Sequence, residues 1–113
     1  MTKIEAVDGN NWEDFLKSPK AVLLIGKSDC EACNAWTSEL SDYLEGGDAP
    51  ADVRFGKMLV DKPGLVHFKR ANPWLAEVEV LPYTVIYANG EKFKEFAGGG
   101  IERMNNRLAR LSE

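Results

Sequence analysis

The sequence predicts an α/β protein, a three-layer α/β/α sandwich with a mixed sheet, closed by a C-terminal β-hairpin and a helix. Three observations carry this. Strand-like and helix-like stretches alternate through most of the chain, which implies parallel strands joined by crossovers. Asn89-Gly90 follows a β-branched and aromatic run, the strongest short signal for a two-residue hairpin turn. Ile101, Met104, Leu108 and Leu111 then recur at helical spacing. The 113 residues fit a single domain over 1–113, because a chain of this order buries about two thirds of its unfolded surface without a staple.

Taken in order, residues 3–7 form a short strand with weak alternation. Asp8-Gly9-Asn10 is a turn, and Asn10 is placed to cap a helix with Glu13 at its third position. Trp12, Phe15 and Leu16 give that helix its apolar side, and Ser18-Pro19 ends it. Residues 21–25 are continuously apolar, the pattern of a central strand buried on both faces. Residues 26–29 are a loop with Ser28 or Asp29 as cap, and a helix runs from about Cys30 to residue 45. Its inner face carries Cys33, Trp36, Leu40 and Leu44, spaced by three and four. A strand over 53–60 places Val53, Phe55, Lys57 and Leu59 on one side. After a turn at 61–64, a short helix spans 65–71. A second begins with Asn72 as cap and Pro73 at its first position. Residues 83–87 are a strand, residues 91–97 return as its hairpin partner, and the glycines at 98–100 break the strand before the closing helix.

Composition narrows the function. The net charge of −4 argues mildly against nucleic acid or an anionic membrane surface as a partner, because both need a basic face, and no apolar run approaches the ~20 residues of a membrane span. Residues 1–8 lack the apolar core of a secretory signal, so a reducing, cytoplasmic setting is expected. Cys30-Glu31-Ala32-Cys33 holds both cysteines of the chain, between the buried strand and the helix. Unpaired N–H groups and the dipole at a helix start favour negative charge, so a cysteine there ionises more readily, and its thiolate is the reactive form. Cys33, one turn on, is close enough for a short disulfide. The bland alternatives are two small core residues or half a zinc site. Zinc needs four ligands, and His67 leaves one still missing. No metal is expected.

Four features together resemble the thioredoxin family: Cys30-Glu31-Ala32-Cys33 after a buried strand, a strand ending Lys57-Met58-Leu59-Val60-Asp61, Leu81-Pro82 leading into a strand, and the hairpin of residues 85–91. Their order and spacing run the length of the chain. The resemblance implies that Cys30 is the nucleophile toward a substrate disulfide and Cys33 resolves the mixed disulfide. It implies a cis Pro82 facing the cysteines, and a Leu81 backbone that binds an extended substrate segment.

The chain departs from the family pattern at several places. Asp29 stands for a tryptophan, Glu31-Ala32 for glycine and proline, Leu24 for an internal acid, Gly26 for an aromatic, and Tyr83 for a threonine. Asp29 and Glu31 place negative charge beside Cys30, which raises its pKa and leans the pair toward a reductant. Lys57 lacks its acidic partner and is either a solvated strand residue or an active-site group. The resulting expectation is a monomeric thiol–disulfide oxidoreductase that acts on protein disulfides, uses no bound cofactor and is recharged by an external reductase. A different class is the alternative: the same fold serving as a protein-binding or scaffold module with little turnover.

Overall fold

A computed structural model describes residues 3–112. Five strands, β1 (Ile4–Ala6), β2 (Lys20–Gly26), β3 (Arg54–Leu59), β4 (Tyr83–Ala88) and β5 (Glu91–Ala97), form one sheet in the order β1-β3-β2-β4-β5. The first three run parallel; β4 lies antiparallel to β2 and β5 antiparallel to β4. The helices are α1 (Trp12–Leu16), α2 (Glu31–Glu45), α3 (Val66–Ala71) and α4 (Ile101–Leu108), with 3-10 turns over Pro73–Glu77 and Ala109–Ser112. This is the three-layer α/β/α sandwich with a mixed sheet that the alternation predicts.

The central position of β2 explains its composition. Residues 21–26 are all buried, and alternate side chains feed different cores. Ala21, Leu23 and Ile25 pack with Phe15 of α1 and Phe68 of α3 on one face. Val22 and Leu24 pack with Trp36 and Leu40 of α2 and Met104 of α4 on the other. The hairpin turn forms at Asn89 and Gly90, with φ of 53° and 87°, the left-handed pair a type I′ turn requires.

Two caps differ from expectation. Helix α1 starts at Trp12, and the side chain of Asn10 does not cap it. The Asp8 carboxylate instead accepts the N–H groups of Asn10 (2.9 Å) and Asn11 (3.2 Å), while Trp12 N–H donates to the Asp8 carbonyl (3.1 Å). Asn11 answers through its side chain, its oxygen accepting the Asp8 N–H (2.7 Å) and its amide donating to the Ala6 carbonyl (2.8 Å), so Asp8 and Asn11 close the turn from inside the segment that reads as loop. Asn72 likewise makes no cap. Its amide donates back to the Phe68 carbonyl (2.8 Å) and its oxygen accepts from Trp74 Nε1 (3.2 Å), so Pro73 opens a 3-10 turn rather than an α-helix.

A buried polar bridge joins the α2 layer to the sheet. Trp36 Nε1 donates to Thr84 Oγ1 (3.1 Å), and that hydroxyl donates to the Gly98 carbonyl (2.9 Å). Thr84→Val would leave both partners unpaired. We expect a loss of about 1–3 kcal/mol, the cost of orphaned buried groups, seen as a lower urea midpoint at unchanged slope.

Candidate active site

The site is assembled where β2 ends. The loop after Gly26 is held to the neighbouring strand by Asp61, just beyond β3. Its carboxylate accepts from the Ser28 N–H (3.0 and 3.1 Å) and from Ser28 Oγ (3.2 Å). Desolvation, the largest single influence, pushes Asp61 up, but the two kinds of bond from Ser28, with the Asp61 backbone and Lys62, together outweigh it and hold the carboxyl below its ordinary range. Ser28 is therefore taken by Asp61, and Asp29 does not cap α2 either. The cap is Cys30: its backbone is extended, and its sulfur accepts the Cys33 N–H at 3.1 Å. The expectation that Ser28 or Asp29 caps the helix is corrected here. The Cys30 sulfur thus lies on one of the orphan amides of the first turn.

Cys30 and Cys33 are joined in a disulfide, their Cα atoms 5.2 Å apart. Cys30 is half-buried, whereas Cys33 is only 1% exposed. The sulfur of Cys33 is tucked against the end of β2, where a Cβ on Gly26 would stand 3.1 Å from it. A side chain at 26 would have to displace that sulfur, which gives the glycine a local reason. Asp29 and Glu31 flank Cys30 and are exposed.

The Leu81-Pro82 peptide is cis, and Pro82 is buried. On the antiparallel ladder the last pair is Ile25 with Tyr83, so Pro82 and Gly26 are the next residues beyond it, at the strand end against which Cys33 rests. The Pro82 carbonyl accepts from Gly98 N–H at 2.7 Å. Leu81 is partly buried against the α1/α3 core. The fold thus brings Cys30, Cys33, Pro82 and Leu81 to one end of the sheet.

Lys57 pairs with the buried Leu24 across the sheet and lines a cavity of about 520 Å³ together with Thr37, Ser41 and Leu44. Thr37 Oγ1 in turn donates to the Cys33 carbonyl (2.8 Å). His67 is exposed, and among the described residues no group of three or more His, Cys, Asp or Glu side chains is arranged to hold a metal ion.

Next to Pro82 lies a network that sequence reading missed. Tyr83 donates to Glu95 Oε1 (2.6 Å), Lys92 reaches Glu95 Oε2 (2.8 Å), and the same ammonium sits 4.2 Å above the Trp74 ring. Partial burial, then Glu95, pushes the Tyr83 hydroxyl up to about 12; Lys92 and Tyr83 hold Glu95 below its ordinary range. The hairpin register carries the only advance signal. Residues 83 and 95 share a face of adjacent strands, but the register irregularity next to Tyr87 conceals that Lys92 joins them.

No protein-family model and no curated protein sequence matches the chain. Solved structures do match it. Spinach chloroplast thioredoxin f (long form) superposes with a TM-score of 0.78 at 17% identity, over 98% of this chain and 88% of that one. Thioredoxin f2 of Chlamydomonas reinhardtii gives 0.73 at 21%, over 95% and 94%. A thioredoxin f2 solved in complex with ferredoxin:thioredoxin reductase gives 0.75 at 16%, over 98% and 96%. At these identities the likeness establishes the fold: the chain has the thioredoxin fold. Within it, the disulfide-bonded Cys-x-x-Cys pair stands at the tip of α2.

The Ser28–Asp61 clamp predicts a specific pH response. A carboxyl whose pKa is depressed on folding contributes stability above its unfolded value and loses it as pH falls through the folded value. The Ser28 amide resonance should therefore titrate with a midpoint below 3.8, the ordinary value for Asp61. Asp61→Asn should abolish that titration in an NMR pH series.

Proposed function

We propose that the protein is a thiol–disulfide oxidoreductase that reduces disulfides in other proteins. One observation carries the reading: a half-buried sulfur at residue 30, on the unpaired amides of a helix start, bonded to a buried sulfur at residue 33. In the reduced protein the Cys30 thiolate attacks one sulfur of a substrate disulfide. A mixed disulfide forms and the other substrate sulfur leaves as thiolate, then takes a proton. Cys33 next attacks Cys30, releasing the second substrate thiol. The substrate has gained two electrons and two protons, and the protein is left with the Cys30–Cys33 disulfide.

The reading assigns Pro82 and the Leu81 backbone to substrate positioning, consistent with their place at the same sheet end. The exchange uses sulfur alone, so no bound cofactor is assigned. An external reductase returns the pair to the dithiol. A structural neighbour solved together with its own reductase supports a partner of that kind. We place the protein in the cytoplasm as a monomer. Leu24, only 2% exposed, offers no proton acceptor in the core below Cys33. Resolution of the mixed disulfide therefore relies on the acidity of Cys33 itself, and the reading makes it the slow step.

Two measurements test this. Insulin reduction should be lost in Cys30→Ser, while Cys33→Ser should accumulate a mixed disulfide. Equal activity in Cys30→Ser and the parent would instead favour a binding module. In the second, D29N/E31Q should make Cys30 a stronger acid, because two like charges beside its thiolate are removed. The ultraviolet thiolate absorbance should then appear at lower pH than in the parent, and an unchanged curve would remove the electrostatic account.

A further inference from the structure

Resting on the exchange reading above, we propose that the groove beside Pro82, walled by Trp74 and Tyr83, selects protein disulfides flanked by lysine or arginine. The groove has a volume of about 300 Å³ and is one residue from Pro82 along the chain. Its two rings pack against each other as a tilted pair, centroids 6.4 Å apart at 35°, and form one continuous apolar wall along which a side-chain stem can lie. Glu77, Glu79 and Glu95 supply its charge, and Val78, Val80 and Ala97 the rest of its lining.

The charge of this lining is unbalanced. Glu95 is already engaged by Tyr83 and Lys92. Glu77 and Glu79 make no ion pair or side-chain hydrogen bond among the described residues, and both are exposed. Two uncompensated carboxylates thus remain above an aromatic floor. Asp29 and Glu31, exposed beside Cys30, carry the same sign next to the reacting sulfur, with Lys27 the nearby opposite charge in sequence.

The molecule contains its own example of what fits there. Lys92 places its ammonium over Trp74 while bonding a carboxylate. A cation over an aromatic face with an acid at its head is the environment a lysine or arginine side chain prefers, the stem covering apolar surface and the charge reaching the rim. An extended substrate segment aligned on Leu81 sends alternate side chains to one side. A basic residue near its cysteine would therefore reach the groove, and an acidic one would meet Glu77 and Glu79 in repulsion. The selection works by both attraction and exclusion.

The test uses three disulfide-linked peptides, identical except for Lys, Ala or Glu placed two residues from the cysteine. The Lys peptide should show kcat/KM about three- to tenfold above the Glu peptide at low salt, the scale of exposed charge pairs. Added salt should shrink the difference, and E77Q/E79Q should remove it. Affinities of disulfide-free analogues, read by tryptophan fluorescence, should follow the same order. Equal kcat/KM for all three peptides, or a preference that survives in E77Q/E79Q, overturns the groove assignment. Absent turnover with the Lys preference intact in binding refutes the exchange reading and upholds the groove. Equal affinity of the analogues in the absence of turnover overturns both.

Discussion

The antiparallel register between β2 and β4 is the constraint on which the site depends. Pairing Ile25 with Tyr83 sets Pro82 next to Gly26 and Thr84 next to Leu24. From the first follows the juxtaposition of the cis peptide with the strand end that supports Cys33. From the second follows the reach of the Thr84 hydroxyl to Trp36 on one side and Gly98 on the other. Gly98 in turn bonds the Pro82 carbonyl. A slip of one residue would invert every side chain of β4, sending Val85 and Tyr87 into the core built for Ile86 and the reverse, so the two different cores fix the register.

The electrostatics of the site are a contest between backbone and side chains. Unpaired amides at the start of α2 draw negative charge onto Cys30, while Asp29 and Glu31 oppose it. The amides are fixed at contact distance, as the 3.1 Å bond from Cys33 N–H records. The carboxylates are solvated and screened. The backbone should keep the larger share, and the two acids moderate it. Their sign also matches the uncompensated rim near Trp74.

Much of this was legible in the sequence for simple reasons. A run of five apolar residues has one comfortable place, the middle of a sheet, and residues 21–25 are there. The three- and four-residue spacing of Cys33, Trp36, Leu40 and Leu44 admits one inner face, and all four are buried. Asn89-Gly90 has the conformational freedom its turn demands. What stayed hidden depends on contacts between distant residues or on competition among polar ones. Asp8 displaced Asn10 because its carboxylate serves two amides. Ser28 was unavailable as a cap because Asp61, thirty-three residues on, had engaged it. Lys57 reads equally as a solvated strand residue or an active-site group, and only the fold shows the cavity it lines with Thr37 and Ser41 of α2.

That a sulfur, rather than a hydroxyl or carboxylate, seats the first turn of α2 has a thermodynamic consequence. Reducing the disulfide changes the charge that this turn can lean on, so cohesion of the helix and acidity of the thiol become two expressions of a single coupling. By reciprocity, whatever loosens the opening turn must also weaken the acid, even if it touches neither cysteine. The helix is then part of the electrochemistry, and its sequence well beyond the motif becomes a means of tuning it.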